Sequence, residues 1–236
     1  MQKWIVIFLF LCLAAYSIYP QNLNMSPNTF IGDKNKKKLS FSAGMGLGYG
    51  ATPDFTDYLR QEIPYSNSDS IGSFNAGIEF FGAIEYELTK TLSAKVDYSY
   101  FIRSLRYEYS HFIFDYTITS HQPYFFINYN LLKSPNYNFK LGVGLGYHFQ
   151  QLDNKVSTST TLRYTSNGPS VRGELIFSPK FSKTFWGYLS GFAYGNFYGK
   201  LKDESGNTLK PANSNSEASL GGYGVGVRLG FTFYLN

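Results

Sequence analysis

The chain ends on "LGGYGVGVRLGFTFYLN", a run in which apolar and polar positions alternate with a period of two. Every odd position from Tyr223 to Leu235 is apolar or aromatic, and every even position between them is glycine or polar apart from Tyr234. Successive side chains of a β-strand point to opposite faces. The run therefore predicts a strand with one apolar and one polar face.

Seven earlier segments alternate in the same way, so the sequence predicts eight strands. They cover residues 39–50, 74–88, 92–103, 116–132, 139–150, 170–181 and 185–201. Pro123 interrupts the fourth segment, where we expect a bulge or a late strand start because proline has no N–H to donate. In the seventh segment we expect the small residues to face inward and the aromatic ones outward. These aromatic residues are Trp186, Tyr188, Phe192, Tyr194 and Tyr198.

The connections between the segments alternate in length. Those after the second, fourth and sixth segments are short, and the others are polar and run over residues 51–73, 107–115, 152–169 and 202–218. Short turns at one rim and long loops at the other are typical of barrels in the bacterial outer membrane. With eight strands, both chain ends lie at the short-turn, periplasmic rim.

Charged residues on the polar faces indicate which face points inward. Large apolar residues fill a small soluble barrel, and charges in a dry core carry a large desolvation cost unless they are paired. We therefore predict an all-β, eight-stranded antiparallel up-and-down transmembrane β-barrel over residues 39–236, with apolar faces toward lipid. A secreted soluble β-sandwich or lipocalin-like barrel is the alternative. The charges expected in the lumen belong to Glu79, Glu85, Lys95, Asp97, Arg172, Glu174, Lys180 and Arg228.

These inward charges predict a polar network that stiffens the barrel. If the turn after the second strand centres on Lys90, Glu85 and Lys95 lie directly opposite each other and form an ion pair. The interior of an eight-stranded barrel is about wide enough for its own side chains, which excludes a large porin channel. A narrow path for ions or small solutes is the alternative.

Aromatic residues make up 19% of the chain, which also holds 23 glycines. Aromatic residues favour strands, and glycines mark turns or crowded faces. Near the strand ends, the aromatic residues predict two interfacial bands. We expect Tyr86, Tyr129, Phe181, Trp186 and Tyr188 at the short-turn rim, and Tyr49, Phe149, Tyr198 and Tyr223 at the long-loop rim.

The first residues differ from the rest. Lys3 precedes an apolar run over residues 4–15 that is too short to span a bilayer as a helix. Ala15 and Ser17 are small residues at the spacing that signal peptidase prefers. We predict a signal peptide over residues 1–17 and a periplasmic N-terminal segment over 18–38, the alternative being an uncleaved helix. Cys12, the only cysteine, lies in the predicted signal, so no disulfide is expected in the mature chain.

The formal charge of +5 is mild for this length, and no nucleic-acid partner is expected. The one dense basic run, "DKNKKK" over residues 33–38, lies just before the first strand. We interpret it as a solvated linker, the alternative being contact with anionic head groups.

The last strand resembles the C-terminal strand signal of outer-membrane barrels, with Arg228 as its polar residue, Gly230 as its glycine, and Phe233 and Leu235 as its apolar residues. Many such proteins end on the aromatic residue itself, whereas Asn236 ends this chain. Strand number, loop asymmetry and size resemble the OmpA-like and OmpX-type eight-stranded family. The resemblance implies a monomer in the bacterial outer membrane, surrounded by lipid and lipopolysaccharide. It also implies recognition of the last strand by the β-barrel assembly machinery and closure against the first strand.

No set of residues indicates catalysis. His111 and His121 flank a loop region and His148 points inward near the long-loop rim, none of them at a recognisable spacing from Ser or Asp. No ligand cluster supports a metal site and no cofactor is expected. We predict that the protein is not an enzyme, with an outer-membrane lipid-modifying enzyme as an alternative. The long loops mix Tyr, Asn, Ser and Arg, so we predict a structural role or surface adhesion through an extracellular ligand.

Overall fold

The structure, a computed structural model, describes residues 39–62, 75–109, 112–157, 161–211 and 216–235. The predicted signal peptide (1–17) and N-terminal segment (18–38) lie outside the described residues, as do His111 and Asn236. Among the described residues, no helix is long and apolar enough to cross a membrane. In chain order the elements are β1 (Leu39–Ala51), α1 (Pro53–Glu62), β2 (Ala76–Glu87), β3 (Leu92–Tyr109), β4 (Phe112–Lys133), β5 (Tyr137–Val156), β6 (Leu162–Pro179), β7 (Phe185–Asn196) and β8 (Gly222–Leu235).

The eight strands form a closed antiparallel barrel in which each strand pairs with the next along the chain. The first and last strands close it, with pairs running from Leu39↔Leu235 to Ala51↔Tyr223. Closure satisfies the backbone hydrogen-bonding groups of the ladder between strands, as a bilayer requires. The predicted fold is confirmed, with the helix α1 as an addition.

The outer surface of the barrel is apolar and its inside is polar, also as predicted. Leu145 in β5 is 71% exposed and Leu229 in β8 is 62% exposed, whereas the neighbouring Arg228 is 0% exposed. Exposed apolar side chains continue around the wall on every strand from β1 to β8. Such a surface belongs against hydrocarbon, so the barrel is of the transmembrane kind.

Strand β7 is oriented opposite to the prediction. Trp186, Tyr188 and Phe192 are 9%, 4% and 6% exposed and face the lumen, whereas Leu189 faces outward. The reason is the glycine-rich inner face of the neighbouring β8: a Cβ at Gly226 would lie 2.3 Å from Cζ of Phe192. The large rings of β7 fill the space that these glycines leave.

The two aromatic bands are present but smaller than predicted. Tyr86, Tyr129 and Phe181 are exposed at the short-turn rim. Trp186 and Tyr188 do not belong to that band because they face the lumen. At the other rim Tyr49, Phe149 and Tyr223 are exposed, whereas Tyr198 turns inward and bonds His148.

The strands have unequal lengths. β3 to β6 have 18 to 22 residues, and the other four have 12 to 14. Much of the predicted loops 107–115 and 152–169 is therefore strand. With a rise of about 3.3 Å per residue, the longer strands project well beyond the wall formed by the shorter ones.

Pro123 does not break β4, contrary to prediction. It pairs with Tyr98 in a continuous ladder to β3. On the other side, the ladder to β5 has pairs at His121↔Phe149 and Tyr124↔Gly146 and none between them. The missing proline donor thus costs local pairing without changing the register, and the register shift lies instead between Asn130 and Leu132.

Candidate functional site

Arg228 lies at the centre of a charged network in the lumen. Its Nε donates to Oε2 of Glu79 at 2.9 Å, and its Nη2 donates to the other oxygen at 2.8 Å. Nη1 donates to Oδ2 of Asp97 at 2.9 Å, and Nη2 also reaches Oγ of Ser99 at 2.7 Å. The planar guanidinium suits this forked contact with carboxylates.

Arg172 extends the network across the lumen from β6. Its Nη1 donates to Oε1 of Glu79 and its Nη2 to Oε1 of Gln122, each at 2.9 Å. The guanidinium carbon lies 4.5 Å from the ring centroids of both Tyr124 and Phe192. Packing between two aromatic faces stabilises a desolvated cation. The inward orientation of β7 therefore contributes directly to the network.

Lys95 joins the network from β3. Its Nζ bonds Glu174, lies 3.6 Å from Oδ2 of Asp97, and sits 4.2 Å from the ring centroid of Phe126. Glu174 also lies 3.9 Å from Nη1 of Arg228. One connected set therefore holds three cations, Lys95, Arg172 and Arg228, and three carboxylates, Glu79, Asp97 and Glu174.

Glu85 and Lys95 have the predicted register, but they do not form the predicted ion pair. The two residues are opposite each other in the ladder of β2 and β3, but Nζ of Lys95 turns to Glu174. Glu85 accepts from Nζ of Lys140 at 2.7 Å and from Ser93. In a narrow closed barrel, side chains meet across the lumen, which the register of adjacent strands does not predict. Lys140 was missed, although it shares the inward parity of His148.

The charged network is sealed from solvent. None of its six charged residues is more than 2% exposed, and its charges balance. Lys180, which the polar face of β6 placed in the lumen as well, is instead exposed because it lies just past the end of that strand. Removing one partner of a buried charge pair is strongly destabilising because it leaves an uncompensated charge. Mobile ions would have to displace these groups to pass. The geometry is that of a plug.

The two described histidines, His148 and His121, lie on opposite sides of the barrel wall. His148 faces the lumen, where its Nδ1 bonds the hydroxyl of Tyr198. His121 faces outward, where its Nδ1 lies 2.6 Å from the hydroxyl of Tyr98. They do not form a common site. Within the described ranges, no three His, Cys, Asp or Glu side chains are grouped to hold a metal ion.

The long-loop end of the barrel is closed by an apolar core, which we call the mouth cap. Four residues come from strands, three from α1, and four from residues 197–221 between β7 and β8. All are at most 6% exposed. The mouth cap consists of Leu105, Tyr116, Ile118, Leu152, Phe55, Tyr58, Leu59, Leu201, Leu209, Ala218 and Leu220.

The helix α1 follows from its sequence, although it was not predicted. Pro53 occupies the first turn, where a missing N–H is harmless, and Asp54 and Arg60 lie near the helix ends that favour their charges. Phe55, Tyr58 and Leu59 form one apolar face. Burial of Tyr58 raises the pKa of its hydroxyl well above its usual range.

The described residues between β7 and β8, 197–211 and 216–221, are tied by backbone hydrogen bonds. Leu201 donates to Ala218, Ala218 to Leu209, and Leu209 to Leu201, at 2.9 to 3.0 Å. Asp203 closes a turn by accepting from the backbone of Ser205 and from the backbone and side chain of Asn207. The bonds from Asn207 hold the pKa of Asp203 below its ordinary value. This part of the loop is a small ordered unit with its apolar side in the mouth cap.

The predicted assembly residues lie at the seam of β1 and β8. Gly230 is paired with Gly44, and a Cβ there would lie 2.3 Å from the carbonyl oxygen of Ala43. Phe233 and Leu235 are exposed on the outer surface. Arg228, the polar residue of the predicted signal, faces the lumen and is fully buried in the charged network. A role of this strand in assembly stays a prediction.

No protein-family model matches the sequence, and no curated protein matches it. Among solved structures, the chain is similar to Neisserial surface protein A, with a TM-score of 0.47 and 11% identity over 84% of this chain and 97% of that one. It is similar to the attachment invasion locus protein of Yersinia pestis in complex with the heparin analogue sucrose octasulfate, with a TM-score of 0.48 and 10% identity over 84% and 99%. A major outer membrane protein from Thermus thermophilus has a TM-score of 0.45 and 12% identity over 84% and 99%.

These likenesses concern the fold. The eight strands and their closure are what the resemblance to OmpA-like and OmpX-type barrels implied. The predicted resemblance to these barrels is therefore confirmed for the number of strands and the closure of the barrel.

Proposed function

We propose that this protein is a bacterial outer-membrane barrel without an open pore, which holds a rigid binding surface outside the cell. The apolar belt supports the membrane placement, because a closed barrel with this surface is stable only in lipid. Lipid and lipopolysaccharide would surround the belt of a monomer, and the barrel assembly machinery would insert it.

The sealed lumen is the observation that carries this proposal. A balanced network with Arg228 and Asp97 both 0% exposed fills the middle, and the mouth cap closes the outer end. A conducting path needs mobile water and ions along the axis, for which such packing leaves no room. The sealed lumen supports a structural or adhesive role in preference to transport.

The projecting strands and the mouth cap support the binding role. Ends of β3 to β6 stand above the aromatic band at Phe149, and α1 and residues 197–221 pack into them. Residues held on such a scaffold keep their relative positions without a partner. Preorganisation of this kind lowers the entropic cost of binding.

Two measurements test the proposal. The protein is expressed with its own N-terminal residues in a Gram-negative host, and outer-membrane fractions are compared before and after boiling on a denaturing gel. We expect a mobility shift in that fraction and no conductance steps from the purified protein in planar bilayers. Steady conductance steps would favour the narrow channel, and an altered lipid A mass in the expressing cells would favour a lipid-modifying enzyme.

A further inference from the structure

A polar groove lies at the outer end of the barrel between α1 and the described residues of the loop between β7 and β8, 197–211 and 216–221. Its volume is about 480 Å³, within the range of about 300–1,000 Å³ that is usual for ligand pockets. One wall carries side chains of α1, and the other carries loop residues. The lining residues are Asp54, Asp57, Tyr58, Arg60, Gln61, Lys200, Pro211, Ser216 and Glu217.

Both walls of the groove are fixed by the mouth cap. Phe55 and Leu59 anchor α1 in that core, and Leu201 and Ala218 anchor the loop in the same core. Lys200 bridges the walls, since its Nζ lies 3.8 Å from Oδ2 of Asp54 and donates to the backbone carbonyl of Glu217 at 3.3 Å. The width of the groove is therefore set by packing, and its polar groups are held apart without a ligand.

The charges of the groove are nearly balanced, and this decides the class of ligand. Arg60 lies 3.4 Å from Asp57, and Glu217 is paired with Lys210 at 3.3 Å. A polyanion would need an excess of cations, and a divalent cation would need carboxylates free of cationic partners and converging on one point. The groove has no excess of cations, and its carboxylates already have cationic partners, so neither a polyanion nor a divalent cation fits it.

We propose that the groove binds a neutral sugar. Sugar hydroxyls donate and accept hydrogen bonds at once, so they require carboxylate and amide acceptors beside guanidinium, ammonium and amide donors. Asp57, Arg60 and Gln61 offer both kinds on one exposed side of α1, and Lys200 offers a donor from the opposite wall. The inference rests on the proposed function, which places this end of the barrel outside the cell.

The test uses the purified full chain in an amine-oxide detergent, whose head group contains no sugar. Glucose, galactose, mannose, N-acetylglucosamine and lactose are the probes, and saturation-transfer NMR detects binding. We expect transfer to at least one of these sugars. Asp57→Asn removes the negative charge and one acceptor oxygen, and Gln61→Ala removes an amide. For each variant we expect a rise in the dissociation constant of about tenfold for that sugar.

Glu204→Gln is the matched control, because Glu204 is an exposed carboxylate on the same loop that does not line the groove. It should leave binding unchanged. Asp57 and Gln61 are also exposed, so their variants should keep the heat-dependent gel shift. Absence of transfer to every probe, or binding that is indifferent to both groove substitutions, would overturn the inference. Conductance would overturn the proposed function and leave the sugar result standing, so the two failures are distinguishable.

Discussion

The middle of the barrel and its mouth have opposite arrangements of polar and apolar side chains. In the middle, β4 turns Gln122 inward and Phe125 and Ile127 outward, whereas nearer the mouth it turns Ile118 inward and Thr119 outward. The strand passes from one arrangement to the other without a change of period or register. In the middle, the polar side chains are kept away from the surrounding lipid. At the mouth, the apolar side chains are kept away from the surrounding water.

This difference explains why the lumen is closed in two ways. Surrounded by hydrocarbon, the middle has its charges inside, where they satisfy one another. Surrounded by water, the mouth has an ordinary apolar core made of strand, helix and loop residues. The two closures have different chemistry, so separate substitutions can break them.

The largest effect is expected from Arg228→Met, which keeps most of the side-chain volume and removes the charge. Glu79 and Asp97 are then buried without their main partner, and the free energy of unfolding should fall by about 3–5 kcal/mol. Urea unfolding, followed by loss of the folded band on an unheated gel, measures the change.

Arg163→Met is the control for that substitution. Arg163 pairs with Asp153 at 3.1 Å on the exposed side of the long strands, where an ion pair is worth about 0–1 kcal/mol. Equal losses in the two variants would contradict the description of the middle as a sealed network.

The next effect concerns the mouth. Leu59→Ala removes part of a side chain that is 0% exposed in the mouth cap, and truncation of a buried leucine costs about 2–5 kcal/mol. Because the cap is separate from the charged network, we expect α1 and residues 197–221 to lose hydrogen-exchange protection while β1 and β8 keep theirs. Equal loss in all of these elements would show that the two closures are one cooperative unit.

The smallest of these effects is expected from adding a methyl group to a glycine, on the inner face of the wall in one variant and on the outer face in the other. Gly226→Ala places a Cβ 2.3 Å from Phe192 and 2.6 Å from the carbonyl oxygen of Leu47, whereas a Cβ at Gly191 meets nothing within 4 Å. Overpacking should cost about 1–3 kcal/mol in the first variant. Gly191→Ala should change the urea midpoint much less. A larger loss of stability in Gly191→Ala than in Gly226→Ala would contradict the observed orientation of β7 and support the orientation predicted from its aromatic pattern.

The period-two pattern was sufficient for strand number, closure and the inward face of most strands. The prediction for β7 is wrong because it treats aromatic size as the sign of lipid contact, although Ser190 and Asn196 share the parity of Trp186. Those two polar residues were the available signal. Aromatic residues suit either face, and here the glycines of the neighbouring β8 leave room for them on the inner one.

The mouth escaped prediction for a related reason. "FDYTIT" over residues 114–119 alternates as strictly as any membrane segment, but its polar residues face out. Only its last four residues belong to the predicted fourth segment, and its first two belong to the predicted loop 107–115. The helix α1 and the tied loop acquire their structure by burying a few apolar residues against those strands. Such contacts are set by the closed barrel and are not visible in any one segment. The trans-lumen partners of Lys95 and Glu85 were missed for the same reason.

The exchange of faces along β4 is the central claim, and single cysteines in a Cys12→Ser background test it most directly. The two variants are Thr119→Cys and Ile127→Cys. Residues 119 and 127 both lie on the outward face of β4. His121 lies between them, at the level of Phe149 in the long-loop aromatic band. In lipid vesicles, we expect a fluorophore on residue 119 to be quenched by aqueous iodide, and one on residue 127 to be quenched by spin-labelled lipid. Quenching of both by the same agent would contradict the account.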